Sequence, residues 1–348
     1  MHFLIPLPSL LVDEGARRLA LVRLDEASAA RSRVGSSDPE ALHDYRVALR
    51  RLRSCLRSYR RALRSTLSRK NLRRLRRLAH GTNRSRDLEV QLAWLSDQRD
   101  RAGEAERPGV GWVFERLTAA QREAEKAMRE LDVWIFPGLR NRLLAELTEF
   151  HTTIRLDGSL RLRSTAAETG TLVREASERL KNRLLKIHGY SSEVPIHRAR
   201  IAGKHLRYLV EPFAQSVPQG EAIVDRLKQL QNRFGDVHDA HLFLAELREL
   251  LPVADEVSSD SSNFLPGIEA LMVTVEARGR QAFEEVARDW LHGAAEPFFQ
   301  EVEGVATAIT QLAQGQASED GDLTAVAPRS PLVARLPLAG ARPRRAFT

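Results

Sequence analysis

Between His43 and Arg86 the chain carries sixteen Lys or Arg and a single acid, Asp44, a local net charge of +15. The whole 348-residue chain carries +8, so the other 304 residues sum to −7. Guanidinium groups gathered this densely suit the holding of a polyanion, because each arginine offers a planar fork of donors to phosphate-type oxygens. The spacing is as informative as the number. His43, Arg46, Arg50 and Arg53 sit at offsets 0, 3, 7 and 10, and Arg57, Arg60 and Arg64 continue the series. Directly before each stands a member of an apolar series, Leu42, Tyr45, Leu49, Leu52, Leu56, Tyr59 and Leu63. This predicts one long helix over residues 42–64, with a buried stripe and a basic stripe rotated from it by about 100°. Like charges at these spacings repel, so the row costs stability unless an anion or a nearby acid screens it. The plainer reading is a solvated helix face, but such faces usually mix signs.

A second copy of the pattern follows. His197, Arg200, Lys204 and Arg207 repeat the offsets 0, 3, 7 and 10 after a shift of 154 residues. Downstream, Leu75-Arg76-Arg77-Leu78 leads to Arg86-Asp87, and Leu227-Lys228-Gln229-Leu230 leads to His238-Asp239, a shift of 152. Upstream, the periodic run Ala16–Ala30 has a counterpart in Leu172–Lys186. These elements predict an all-α fold of two helical bundles, residues 10–157 and 165–312, related by a pseudo-twofold around a shared basic groove or pore. The second stripe contains Gly203 and His205 and stops at Pro212, so the N-terminal half is expected to supply more of the charge.

The elements that would position these stripes are punctuated by glycine and proline. Breaks are expected at Gly35 to Pro39, where Asp38 can cap, and at Gly103 to Gly109, Pro137-Gly138, Gly189 to Pro195 and Pro212 to Gly220. Pro252 to Pro266 reads as a serine-rich loop, and residues 314–348 read as a disordered tail. The single cysteine, Cys55, excludes an intrachain disulfide and a cysteine zinc site, is expected to pack, and fits a cytoplasmic protein. Met1 to Leu11 makes a poor signal peptide, broken by Pro6 and Pro8, and no run is long and apolar enough for a membrane span.

HDYRVALRRLR (43–53), HRARIAGKHLRY (197–208) and the downstream helices ending in RSRD and GDVHD are similar to the CHAD family, the conserved histidine α-helical domains. The similarity covers roughly residues 10–312. It implies paired helical bundles, a basic central cavity, non-catalytic binding of inorganic polyphosphate and a place at polyphosphate granules. Residue by residue it implies ligand contacts at His43, Arg46, Arg50, Arg53, His197, Arg200, Lys204 and Arg207, with Arg76 and Lys228 as partners from the following helix. Arg57 joins them as the next member of the same stripe. No cofactor is implied.

Other readings follow from the same residues. A nucleic-acid backbone would also need arginine rows, but single strands favour stacking aromatics, which make up only 6% of this chain. A phosphohistidine carrier at His43 would need acids or a docking partner nearby. His238 and His241, three apart, could share a metal, though no carboxylate or cysteine pattern accompanies them. His43 and His197 would hydrogen-bond either a phosphate oxygen or the bundle itself, and among arginines they should favour the neutral form. Asp87 and Asp239 read better as groups orienting neighbouring arginines than as catalytic carboxylates. No P-loop, nucleophile elbow or paired-acid signature is present, so a binding protein rather than an enzyme is expected.

Overall fold

The computed structural model describes residues 6–34, 38, 40–149, 163–258 and 263–319. Residues 314–319 of the expected tail are helical, extending the last helix; the rest of the tail lies outside the described residues, as do residues 259–262 of the expected serine loop. The fold is all-α: α1 (Val12–Arg33), α2 (Ala41–Ser58), α3 (Arg69–Gly81), α4 (Asn83–Arg101), α5 (Arg107–Thr148), α6 (Thr165–Leu184), α7 (Glu193–Val210), α8 (Gly220–Val257), α9 (Leu265–Trp290) and α10 (Glu296–Glu319). No strand occurs among the described residues, which hold an isolated bridge between Leu11 and Ser164. No described helix is long and apolar enough to cross a membrane.

The apolar interior falls into three clusters. Leu49, Leu52 and Leu56 of α2 pack with Leu75 and Leu78 of α3 and Leu139 and Leu143 of α5. Leu206 of α7, Leu230 and Phe234 of α8 and Phe298 of α10 belong to a second cluster. The third joins segments far apart in sequence, Leu88 and Leu95 of α4 and Val113 of α5 with Leu244 of α8 and Ile268 of α9.

Next to Val110 and Ile268 of the third cluster two glycines meet. A Cβ on Gly109 would stand 2.1 Å from the Phe264 carbonyl oxygen, and one on Gly267 would stand 2.2 Å from the Glu106 carbonyl oxygen. The contact is reciprocal, and Pro108-Gly109-Val110 and Pro266-Gly267-Ile268 make it from matching positions at the starts of α5 and α9. This is a further repeat, with a shift of 158, that the spacing of charges did not reveal.

Several expected breaks are absent. Pro137 lies inside α5, a helix of 42 residues, and Pro252 lies inside α8. An interior proline costs about 3 kcal/mol through a lost hydrogen bond and a clash one turn back. Beside Pro137, Phe136 and Leu139 are buried, so packing of the flanking residues carries the helix across it. Conversely, α2 ends at Ser58, five residues before Leu63, the last member of its apolar stripe. The reason is tertiary: Tyr59 is buried and its hydroxyl lies 2.6 Å from Thr169 Oγ1, which pins the chain to α6 and bends it away.

α2 is fixed rotationally by its own stripe. Buried Tyr45 donates to Asp132 Oδ1 of α5 at 2.5 Å, and Arg31 Nε of α1 donates to Asp132 Oδ2 at 2.6 Å. The Tyr45 ring also meets Phe136 edge-on at 5.6 Å. Three helices thereby share one hydrogen-bonded node, and α2 cannot turn about its axis without breaking it.

Gly109→Ala is expected to destabilise by about 2 kcal/mol or more, since the obstructing atoms are backbone and cannot repack. Gly111→Ala, two residues on with nothing within 4 Å of the added carbon, should leave stability unchanged or raise it. Paired thermal melts followed by circular dichroism test this contrast.

Candidate anion-binding site

With its apolar face fixed, α2 turns its basic face toward α7. The two helices are tied directly. Arg50 Nε donates to the Tyr208 hydroxyl at 2.7 Å, and Glu211, just after α7, stands 3.3 Å from Arg51 Nε and 3.4 Å from Arg207 Nε. Arg207 also lies over the Tyr208 ring at 4.9 Å. Arg207 is thus engaged by a protein carboxylate. Gly203 of α7 has Leu230 of α8 where its Cβ would be, at 3.3 Å, and so seats α7 closely on α8.

Arg46 and Arg50 of α2 lie with Arg200 and Lys204 of α7 in one half-buried group of cations. Burial is the first cause of its electrostatics, and mutual repulsion is the second. Together they bring the Lys204 ammonium down to about 6 and Arg46 down to about 10. Arg200 is lowered by burial, against the raising influence of Asp239. Asp87 of α4 and Asp239 of α8 supply the local negative charge. Both are themselves pushed above the usual carboxylate range by burial, and each is held back by arginines that include Arg200. Neither forms a direct ion pair among the described residues, so they act on the cations through space.

The two motif histidines flank this group. His43 lies near Arg86, Arg46 and Arg50, and His197 near Arg200 and Lys204; in both, burial first and then these cations lower the pKa. The neutral form expected for them is therefore favoured. His197 also faces His238, with ring centroids 4.6 Å apart, and His238 is brought down to about 3 by burial and then by Arg200. His241 turns instead to the Tyr190 ring at 4.5 Å. No cluster of three or more potential metal ligands occurs among the described residues.

The matched positions of the two halves share one peculiarity. His43 Nδ1 and His197 Nδ1, and likewise Arg46 Nε and Arg200 Nε, are buried with no hydrogen-bond partner among the described residues. A buried polar atom left unpaired costs about 1–3 kcal/mol, and here the cost recurs at equivalent points of a repeat. The same two polar atoms are thus left unpaired at matching places on α2 and α7.

The remaining expected residues are placed less uniformly. Arg53 is half-buried, lowered by burial and then by Arg76 and Arg57, so Arg76 of α3 does come to the end of the row. Lys228 is exposed and donates to Asp225 at 2.8 Å. The charge pattern missed Tyr208 and Glu211, and it marked Arg86 without assigning it to the site. Tyr208 and Glu211 follow the second stripe in sequence, but an aromatic and an acid gave no basic signal.

The matching architecture is that of the CHAD domain. The model of that family matches residues 18–248, more than half of the chain, and the chain belongs to the family. The crystal structure of the CHAD domain from the plant Ricinus communis is similar, at TM-score 0.56 and 17% identity over 86% of this chain and 93% of that one. PptA from Streptomyces chartreusis is similar at TM-score 0.57 and 16% identity, over 79% of this chain and 99% of that one. At these identities the likeness concerns the fold. No curated protein matches the chain.

Lys204→Met should raise thermal stability, because it removes a desolvated amine set among arginines. Between about pH 6 and 10.5 the folded chain binds fewer protons at this position than the unfolded chain, so the lysine's penalty grows as pH falls through that window. The melting-temperature advantage of the Met variant is therefore expected to be larger at pH 6.5 than at pH 9.

Proposed function

We propose that this protein binds inorganic polyphosphate along the basic faces of α2 and α7, without turnover, and that this binding brings it to polyphosphate granules. The observation that carries the reading is the cation group of Arg46, Arg50, Arg200 and Lys204, beside which the same polar atoms are left unpartnered on both helices, in His43 with Arg46 and in His197 with Arg200. Membership of the CHAD family supports the same ligand. A chain of phosphates offers regularly spaced acceptors and no bases, so rows of arginine at helical spacing suit it without any group to read sequence.

Arg46, Arg50, Arg200 and Lys204 form the centre of the proposed groove, with Arg53, Arg57 and Arg76 extending it at one end. Arg207 enters it by exchanging Glu211 for phosphate. Lys228 has the weakest claim, because Asp225 neutralises it on the surface. Asp87 and Asp239 serve as internal counter-ions that keep the cations from repelling the helices apart before a ligand arrives. No step of bond cleavage is assigned to them, and the protein acts as a binding module.

Charge reversal at the end of the row, Arg53→Glu with Arg76→Glu, should weaken binding of long-chain polyphosphate at least tenfold in calorimetric titration while helical content stays constant. Unchanged affinity in a folded variant overturns the assignment. The affinity should also fall steeply with added salt, by analogy with counterion release from nucleic acids.

pH provides a second test. A bound polyanion favours the protonated Lys204, so binding takes up a proton wherever the free amine is neutral. Affinity is expected to rise as pH falls from 8 to 6, and more shallowly in Lys204→Met. Titrations in two buffers of different ionisation enthalpy measure the proton uptake directly.

A further inference from the structure

Beyond the α2–α7 row, a second cleft opens where the chain bends away after α2. It encloses about 390 Å³ and is bounded by that turn, by α6 and by α7. On α7 its residues are Arg198, Ile201, Ala202 and His205, which occupy a different face from His197, Arg200, Lys204 and Arg207, about 130° round the helix. The early end of α2 is what builds it. Had the helix run on to residue 64, Arg60 and Arg64 would continue the first stripe; instead the turn brings Arg60 and Arg61 to the rim of the cleft, beside Arg57 of the last turn of α2, the one residue it shares with the row.

Arg179 and Arg183 of α6 face them with Arg198 of α7, and Glu175 is the one acid in the lining. Glu175 approaches Arg179 at 3.9 Å; the other five arginines form no ion pair among the described residues. The floor is of another kind. Leu172, Ala176, Ile201 and Ala202 line it, and Ile201 is 46% exposed there. His205 is brought down to about 4, by burial and then by Arg179 and Arg57, and its Nε2 lies 2.9 Å from Ser58 Oγ. It is a neutral wall that adds no charge at physiological pH.

A bare chain of phosphates gains nothing from an apolar floor, whereas a molecule with condensed phosphates at one end and a flat organic body at the other uses both parts. The volume falls within the range of about 300–1,000 Å³ typical of small-molecule sites. Arginine planes also stack on aromatic rings, so the rim can grip such a body as well as its phosphates. We propose that this cleft is a separate site for a nucleotide-class ligand, a nucleoside polyphosphate whose phosphates meet the arginines and whose base and sugar lie over Ile201 and Leu172. The proposal does not depend on polyphosphate being the ligand of the α2–α7 row.

The test is titration of the full chain with ATP and with inorganic tripolyphosphate, which carries condensed phosphates without an organic body. ATP is expected to bind at least tenfold tighter. Arg183→Ser with Arg198→Ser should weaken ATP binding by about tenfold or more, on the scale of lost charge-assisted hydrogen bonds, while long-chain polyphosphate binding stays within about twofold. Ile201→Ser, a change at a partly exposed position, should weaken ATP and leave tripolyphosphate unchanged, which covers the case of a misfolded double variant. ATP affinity indifferent to these changes, or tripolyphosphate binding as tightly as ATP, overturns the proposal. Parallel loss of long-chain polyphosphate binding overturns the separateness of the cleft.

Discussion

Mutual repulsion among half-buried cations is the constraint on which the rest of the structure depends. Arg46, Arg50, Arg200 and Lys204 are drawn together although burial and like charge both oppose it, and the depressed Lys204 and Arg46 record that opposition. The surrounding fold supplies the restraint. Tyr45 and Asp132 stop α2 from rotating, Glu211 bridges Arg51 and Arg207, and Asp87 and Asp239 provide charge at a distance. An apolar core alone would have let the arginines swing outward into water.

How much of this could be read from the sequence differs by kind of signal. The stripe of α2 was legible because charge and apolarity alternate there with helical period, and each mark is borne by several residues at once. The all-α class followed from the same periodicity. Helix ends were far less legible. Pro137 and Pro252 carry strong local penalties, yet burial on the same helices outweighs them. The end of α2 carries no local penalty at all, because it is set by the contact of Tyr59 with Thr169, 110 residues away.

The site was legible in its cations and hidden in the groups that orient them. Matching offsets picked out Arg46 and Arg200, and no pattern pointed to Tyr208 or Glu211, whose importance lies only in what they touch. Lys228 shows what a repeat leaves open. It sits at the repeat's equivalent of Arg76, and there it pairs with Asp225 at the surface. Position in a repeat fixes the backbone; neighbours then decide what a side chain does with it.

The reciprocal seat of Gly109 against Gly267 bears on descent. A repeated sequence suggests that an ancestral half once stood alone and met a copy of itself. In the present chain, taking either half away would lay bare Leu88, Leu95 and Val113 on one side, or Leu244, Ile268 and Leu271 on the other. Both surfaces are apolar, and backbones touch across them at two glycines. A change on one side of this contact is therefore answerable to the other.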